Sequence, residues 1–120
     1  MGRLTTHVLD TANGHPAAGV RVRVYAVTED VGAERRLLHD AMTNADGRCD
    51  APLLEGGDFK VGHYEIVFGA GSYFAALGAS LPQPAFVGDV VLRFGIADAA
   101  SHYHVPLLVS PWSWSTYRGS

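Results

Sequence analysis

Regular alternation of apolar and polar residues is the feature that most restricts how this chain can fold. It is clearest in the stretch VRVRVYAV, residues 20–27. Successive side chains of a β-strand point to opposite faces of its sheet, so this stretch has one apolar face and one polar face only as a strand. We therefore predict a half-buried strand whose inward face carries four small apolar residues: Val20, Val22, Val24 and Ala26.

The same alternation recurs along the chain and predicts seven or eight short strands. Besides residues 20–27, the alternating stretches are residues 5–10, 35–43, 62–68, 89–96, 102–110 and 112–118. Turn-forming residues separate them, as in TANGHPAAG and NADG. The stretch GSYFAALGA favours one helix of about two turns, ended by Gly78. Short strands at near-regular spacing predict an all-β protein with the architecture of a β-sandwich.

Length, charge and cysteine content exclude several classes of protein. A chain of 120 residues is expected to form a single domain, residues 1–120. The net charge of -3 argues against a nucleic-acid partner, and the single Cys49 excludes an internal disulfide and a CxxC zinc site. No apolar run reaches the length of a membrane span, and MGRLTTHVLD lacks the apolar core of a signal peptide. We therefore expect a cytoplasmic protein without a membrane partner.

The stretch SHYHVPLLVS contains two histidines on one face of a predicted strand. Its inward set is Tyr103, Val105, Leu107 and Val109, and its outward set is His102, His104, Pro106 and Leu108. Histidines at positions i and i+2 lie ~7 Å apart along a strand. Pro106 has no amide hydrogen for the ladder, so it predicts a bulge or another irregularity.

The two histidines admit more than one explanation. They can be ordinary surface residues, or they can serve one catalytic site. With His7 as a third ligand they can also hold zinc, although no Asp or Glu lies at a helpful spacing. Arg48 follows the NADG turn and can either reach into a cleft or lie in solvent.

The remaining candidates give little support for nucleophilic catalysis. The serines near the C-terminus lie in no G-x-S-x-G motif, and no base is evident beside Cys49. In the last strand the two tryptophans, Trp112 and Trp114, are predicted to face the core. The final residues, STYRGS, combine a tyrosine, an arginine and a glycine, which is unusual for a chain end that frays.

Four stretches together resemble the 5-hydroxyisourate hydrolase family of transthyretin-related enzymes. They are LTTHVLDTANGHPAAGVRV, TNADGRCDAPL, GHYEIVFGAGSYF and HYHVPLLVSPWSWSTYRGS. The resemblance runs from Leu4 to Ser120, and its most specific part is the C-terminal Tyr-Arg-Gly-Ser. Where this chain has WSW, many members of the family have single-ring aromatic residues, which should alter packing near the tail.

The resemblance implies a fold, an assembly and a reaction. The fold is a transthyretin-like β-sandwich of two four-stranded sheets with one short helix. The assembly is a homotetramer, a dimer of dimers, with active sites where the dimers meet. The reaction is hydrolysis of 5-hydroxyisourate to 2-oxo-4-hydroxy-4-carboxy-5-ureidoimidazoline in urate catabolism, without a cofactor or metal.

The resemblance also implies which residues act. The catalytic set is His7, Arg48, His104 and Ser120. The substrate-binding set is His7, Arg48, Tyr117, Arg118 and Gly119. Arg48 suits a planar, readily ionised substrate, and a histidine suits the removal of a proton from water. Which of the two histidines is the base is left open, and the Ser120 carboxylate is expected to complete the edge of the pocket.

Two other classes of protein compete with the hydrolase. One is a non-enzymatic carrier that binds a small apolar ligand in a channel of the tetramer, as transthyretin does. That class predicts mainly aliphatic side chains where this chain has His7, His104 and Tyr117. The other is an adhesion-type sandwich, which explains the strands but gives the histidines and the tail no role.

Overall fold

The computed structural model describes residues 2–28 and 34–119. Within these residues the chain forms eleven β-strands, one α-helix and one 3-10 turn. The strands are β1 (Arg3–Thr5), β2 (Val8–Asp10), β3 (His15–Pro16), β4 (Arg21–Val27), β5 (Arg35–Met42), β6 (Leu54–Glu55), β7 (Gly62–Phe68), β8 (Val90–Ile96), β9 (His102–His104), β10 (Leu107–Val109) and β11 (Trp114–Thr116). Helix α1 spans Ala70–Ala76, and the 3-10 turn spans Gly56–Asp58. None of the helices described is long and apolar enough to cross a membrane.

One layer is a four-stranded antiparallel sheet in the order β5-β4-β7-β8. Its register pairs Val24 with Ile66 and Ile66 with Leu92, and all three side chains are buried. The inward face predicted for residues 20–27 is confirmed, because Val20, Val22 and Val24 are buried and Ala26 packs against the core. This sheet forms one wall of the core.

The other layer consists of two sheets, in the orders β6-β1-β9 and β11-β10-β2-β3. The structure therefore has sheets of three, four and four strands, and the expected division into two four-stranded sheets is wrong. The cause is a pair of breaks that face each other, one between β1 and β2 and one between β9 and β10. Pro106 lies in the second break, where it cannot donate to the ladder, as its position in the sequence predicts.

The two breaks leave the layer connected. The amide of Val105 donates to the carbonyl of Thr5 at 2.9 Å, and the amide of Leu107 donates to the carbonyl of His7 at 2.9 Å. Strand β1 pairs with β9 in parallel, and β2 pairs with β10 in parallel. Residues of the first and last quarters of the chain thus lie side by side.

The predicted faces of these strands are mostly correct. Thr6 and Val8 are buried, whereas His7 and Leu9 are partly exposed. Likewise Tyr103, Val105, Leu107 and Val109 are buried, whereas His102, His104 and Leu108 are partly exposed. Pro106 was expected on the outward face and is buried, because the local break turns it inward.

The last strand differs most from its prediction. It spans Trp114–Thr116 instead of residues 112–118. Trp112 and Trp114 are 59% and 43% exposed, so their predicted place in the core is wrong. The reason is that β11 is a three-residue strand at the edge of its sheet and, among the described strands, pairs with β10 alone. Trp112 packs beside Phe86, which is exposed as well.

Helix α1 is as short as predicted and is tied to β2 by a buried carboxylate. It ends before Gly78, whose φ of 83° favours glycine.

The buried carboxylate is Asp10, which is only 1% exposed. It accepts hydrogen bonds from the Asn13 amide nitrogens and, at 2.7 Å, from the hydroxyl of Tyr73 in the helix. Burial opposes ionisation of Asp10, but the bonds from Asn13 and Tyr73 outweigh it and lower its pKa. Burial and Asp10 together raise the pKa of Tyr73 to about 12.

We expect Asp10→Ala to lower the free energy of unfolding by about 2 to 3 kcal/mol, because it leaves buried donors without their charged acceptor. The pKa of Asp10 is lowered on folding, so its contribution is full above the pKa of an unfolded aspartate and is lost as the pH falls through the folded pKa. Chemical denaturation at neutral and acidic pH measures both effects.

The matched control is Asp58→Ala, which removes an exposed carboxylate and should change stability by less than about 0.5 kcal/mol. Equal losses in the two variants, or a loss for Asp10→Ala that does not shrink in acid, would contradict this role of Asp10.

Candidate active site

The parallel pairing of β1 with β9 places two histidines beside the first strand. In this register Thr5 lies opposite His104, and Arg3 lies opposite His102. Leu4, between Arg3 and Thr5, is fully buried, so its two neighbours point away from the core. Both histidines share this outward face, because paired residues in a sheet project to the same side.

The outward side chains of β1 and β9 form one side of a cleft of about 400 Å³. The other side is the loop of residues 48–52. The polar groups that line the cleft from the strands and the loop are Arg3, Thr5, Thr6, Arg48, Asp50, His102 and His104. The cleft therefore combines guanidinium and imidazole groups with one carboxylate.

The hydroxyl of Thr5 contacts both histidines of the cleft. Its Oγ1 lies 2.8 Å from Nε2 of His102 and 2.8 Å from Nδ1 of His104. Within the described residues, Nε2 of His104 makes no hydrogen bond. That nitrogen is consequently the one through which His104 can act on a ligand.

Arg48 is positioned by a tight turn that packs on β2. The side-chain oxygen of Asn44 accepts hydrogen bonds from the amides of Asp46 and Arg48. Gly47 has a φ of 75°, and a Cβ there would lie 2.4 Å from the carbonyl oxygen of Val8. Only glycine fits this position, and its carbonyl accepts the Val8 amide at 2.8 Å.

The guanidinium of Arg48 is available to a ligand. The side chain is exposed at the cleft, and it makes no ion pair or hydrogen bond with residues 2–28 or 34–119. A free guanidinium offers a planar fork of donors that matches a carboxylate or a similar planar anion.

His7 lies in the break between β1 and β2, beside the same turn. Its Nε2 is 2.8 Å from the carbonyl oxygen of Asp46. A carbonyl oxygen only accepts, so Nε2 carries the hydrogen and Nδ1 holds the lone pair when the ring is neutral. His7 does not line the cleft itself, but its charge acts on His104.

Electrostatics favour the neutral form of His104. Burial lowers its pKa below the ordinary histidine value, and positive charge on Arg48, and on His102 and His7 when they are protonated, lowers it further. A neutral imidazole with a free nitrogen can accept a proton near neutral pH. The geometry and the charges therefore agree on His104 as a proton acceptor.

The C-terminal residues lie beside β9, at a second groove of about 230 Å³. The amide of Gly119 donates to the carbonyl of His104 at 2.7 Å. The Arg118 guanidinium stacks 4.0 Å from the Tyr103 ring centroid and bonds the carbonyl of His102 at 3.3 Å. Tyr117 is 61% exposed, and Ser120, expected to be catalytic, lies outside the described residues.

The structure thus brings Arg48 and His104 into one cleft, with His7 next to it and the tail along the other side of β9. In the part of the chain that the structure describes, no three His, Cys, Asp or Glu side chains are grouped so that they could hold a metal ion. The sequence reasoning missed Thr5 and Arg3. Strand alternation puts them on the outward face, but the register that sets them beside the histidines has no signal in the sequence.

Comparison with known proteins finds matches along nearly the whole chain. The family profile described as HIUase/Transthyretin family matches residues 4–119. A Pseudomonas aeruginosa protein named 5-hydroxyisourate hydrolase is 58% identical over 120 residues, which cover 100% of this chain and 93% of the relative.

Solved structures agree with these matches. Klebsiella pneumoniae 5-hydroxyisourate hydrolase has a TM-score of 0.80 and 33% identity, with 100% of both chains covered. A structure of (S)-allantoin synthase has a TM-score of 0.90 and 49% identity; the match covers 99% of this chain but 44% of that one, so this chain spans less than half its length. Sea bream transthyretin, solved with thyroxine, has a TM-score of 0.84, 24% identity and coverage of 98% and 94%. The likeness confirms a transthyretin-like fold.

We expect Arg48→Gln to raise the pKa of His104, because it removes one of the positive charges that oppose protonation of the ring. Titration of the imidazole carbon protons by NMR measures this pKa directly and needs no substrate. Arg36→Gln, at an exposed position on β5, is the matched control and should leave the pKa unchanged. An unchanged His104 pKa in Arg48→Gln would show that the guanidinium does not act on this ring.

Proposed function

The chain belongs to the HIUase/transthyretin family, and we propose that it hydrolyses 5-hydroxyisourate to 2-oxo-4-hydroxy-4-carboxy-5-ureidoimidazoline in urate catabolism. Relatives that carry the name of this hydrolase match the chain over its full length at more than half identity. The observation that carries the proposal is the Arg48 guanidinium, which has no partner among the described residues, in the same cleft as a histidine whose pKa is lowered.

Arg48 binds the substrate in this proposal. 5-Hydroxyisourate is rich in oxygen, and it ionises readily. Two parallel hydrogen bonds from the guanidinium hold such an anion and fix its orientation in the cleft. The same charge withdraws electrons from the carbonyl group that water attacks and stabilises the negative oxygen that develops there.

His104 is the general base. Its Nδ1 is engaged by Thr5, its Nε2 is unbound among the described residues, and its pKa is lowered. Nε2 takes a proton from the attacking water, and the new C–O bond forms as the proton leaves. The ring C–N bond of the substrate then breaks, and the proton on His104 passes to the departing nitrogen.

His7 and the tail position the substrate and its water. His7 lies beside the cleft, and its hydrogen bond to Asp46 fixes the ring with the lone pair on Nδ1, which can hold a water at the edge of the cleft. Gly119 holds the tail against β9 through the His104 carbonyl. Tyr117, Arg118 and Ser120 complete the edge of the pocket.

The working form is a homotetramer, a dimer of dimers, with its sites where the dimers meet. The exposed aromatic residues near the edge strand β11 support an interface there: Phe86, Trp112 and Trp114. A second copy that covers this surface removes apolar area from water. It also shields the cleft from bulk solvent, which strengthens the polar contacts within it.

The competing function is that of a carrier, as transthyretin binds thyroxine in the sea bream structure. A carrier site for an apolar ligand is lined mainly by apolar side chains. The cleft here contains Arg3, Arg48, His102 and His104 instead. Its polarity favours the enzyme.

The test of the function is the decay of freshly prepared 5-hydroxyisourate, followed by absorbance with and without the protein. We expect turnover that survives treatment with EDTA. Single replacements His7→Asn, Arg48→Gln and His104→Asn should each lower turnover by ~10²-fold or more. Binding of the substrate without turnover would favour the carrier, and loss of activity with EDTA followed by recovery with zinc would favour a metal enzyme.

The role of the tail gives a further prediction. Removal of residues 117–120 should abolish turnover while light scattering still shows a tetramer, because these residues contribute to the pocket and not to the core. An N-terminal tag of similar size is the control and should be harmless. A truncated protein with normal turnover would show that the tail has no part in the reaction.

A finer test changes only Gly119. A Cβ at this position would come within 3.1 Å of Cδ2 of His104, so Gly119→Ala should displace the ring and lower kcat by about 10-fold. Gly57→Ala is matched to it, because a Cβ there meets no atom within 4 Å and its φ is not positive. Equal activities of the two variants would mean that the contact with His104 does not matter.

A further inference from the structure

A single hydroxyl group lies between the two imidazoles of the cleft. Thr5 Oγ1 is 2.8 Å from Nε2 of His102 and 2.8 Å from Nδ1 of His104, and the ring centroids are 6.3 Å apart. The rings do not contact each other through nitrogen atoms. The direct hydrogen-bonded path between them therefore runs through Thr5.

The hydroxyl has one hydrogen to donate and two lone pairs, so it donates to at most one of the two rings. Two arrangements make a continuous path for a proton: either His104 donates to Thr5 and Thr5 donates to His102, or both bonds are reversed. In the first arrangement Nδ1 of His104 carries the hydrogen and Nε2 has the free lone pair of a base. In the second arrangement Nε2 carries the hydrogen, and His104 can act as an acid.

We propose that Thr5 is a positioning residue that couples His102 and His104 into one proton-sharing pair, in which His102 stores the proton that His104 accepts. The coupling itself stands on the geometry alone. Its catalytic consequence rests on the proposed hydrolysis. His102, which the sequence placed only on the same face as His104, then has a role in the site.

The transfer is balanced at every atom. Water gives a proton to Nε2 of His104, and the ring becomes a cation. The Nδ1–H bond of His104 then breaks as a new O–H bond forms on Thr5, and the original O–H bond of Thr5 breaks as an N–H bond forms on Nε2 of His102. Thr5 ends as a neutral hydroxyl, and the positive charge has moved to His102. The reverse transfer returns the proton when the substrate nitrogen leaves.

The surroundings of the two rings disfavour protonation of both at once, but they permit protonation of one. Cationic and other titratable groups approach it from the strands, the loop and the tail: Arg3, His7, Arg48, Cys49, Asp50, Glu55 and Arg118. Burial and the nearby positive charges disfavour protonation of His104. The move to His102 takes the charge one ring away from the reacting atoms, and the hydrogen bond to Thr5 offsets part of the cost of the first protonation.

The variant that tests the coupling is Thr5→Val, which keeps the shape of the side chain and removes the hydroxyl. NMR titration of the intact protein gives the pKa values of both histidines without any substrate. We expect the pKa for the first protonation of the pair to fall by roughly 0.5 to 1 pH unit, because the imidazolium loses the hydroxyl that accepts its charge-assisted hydrogen bond. Thr5→Ser keeps the hydroxyl and should titrate as the original protein does.

Kinetics with 5-hydroxyisourate test the catalytic part. Thr5→Val should lower kcat by about 10-fold with little change in KM, since Arg48 still binds the substrate. Thr5→Ser should restore most of kcat. Thr11→Val is the control, because its hydroxyl bonds a main-chain carbonyl outside the cleft, that of Val109. It should change neither the pKa values nor kcat.

A double variant separates the relay from simple packing. His102→Gln can still hydrogen-bond to Thr5 but cannot hold the proton, so it should lower kcat as Thr5→Val does. The pair Thr5→Val/His102→Gln should then be no slower than either single variant, because both changes break the same path.

The outcomes distinguish this proposal from the proposed function. Unchanged pKa values in Thr5→Val overturn the coupling, and so does a Thr5→Ser variant that titrates as Thr5→Val does, since packing of the methyl group would then be the cause. Additive losses in the double variant overturn the relay. If the unmodified protein does not turn over 5-hydroxyisourate, the proposed function fails, while the NMR titration still decides whether Thr5 couples the two rings.

Discussion

The parallel pairing of β1 with β9 is the interaction on which the site depends. It places Thr5 beside His102 and His104, which lie 97 and 99 residues further along the chain. Neither strand has more than three residues, so their pairing gains support from the core side chains behind it, such as Leu4 and Tyr103. A change in this register by one residue would turn either the two histidines toward the core or Leu4 toward the cleft. Fold and site are thus specified by the same register.

The breaks between β1 and β2 and between β9 and β10 add the remaining parts of the site. Because the ladder stops at Pro106, the layer can bend there, and His7 and the turn that carries Arg48 come close to the end of β9. Val8 anchors that turn through the carbonyl of Gly47. Burial and the cationic guanidinium both lower the pKa of the partly buried His104 ring. In the proposed function, the group that binds the anionic substrate therefore also opposes protonation of the base, and one short turn couples the two roles.

Local patterns in the sequence predict well which face of a strand is buried, and they predict poorly which strands pair with each other. Val22, Val24, Thr6 and His7 lie on the faces that alternation assigns, since burial of one face is a local property of a strand. Trp112 and Trp114 were assigned to the core on size and spacing, but the edge position of β11 leaves them exposed. The role of Thr5 depends on which strand lies next to it, and no short stretch of sequence contains that information. The family resemblance identified Arg48 and the histidines, and the three-sheet arrangement appeared only in the structure.

Central to the proposed function is the cleft between Arg48 and His104, which both binds the substrate and supplies the base for its hydrolysis. The most direct measurement is a crystal structure with a stable analogue of 5-hydroxyisourate. We predict that two oxygen or nitrogen atoms of the analogue accept hydrogen bonds from the Arg48 guanidinium, with Nε2 of His104 facing the carbon that water attacks. An analogue bound elsewhere, with Arg48 and His104 both free of contact, would contradict it.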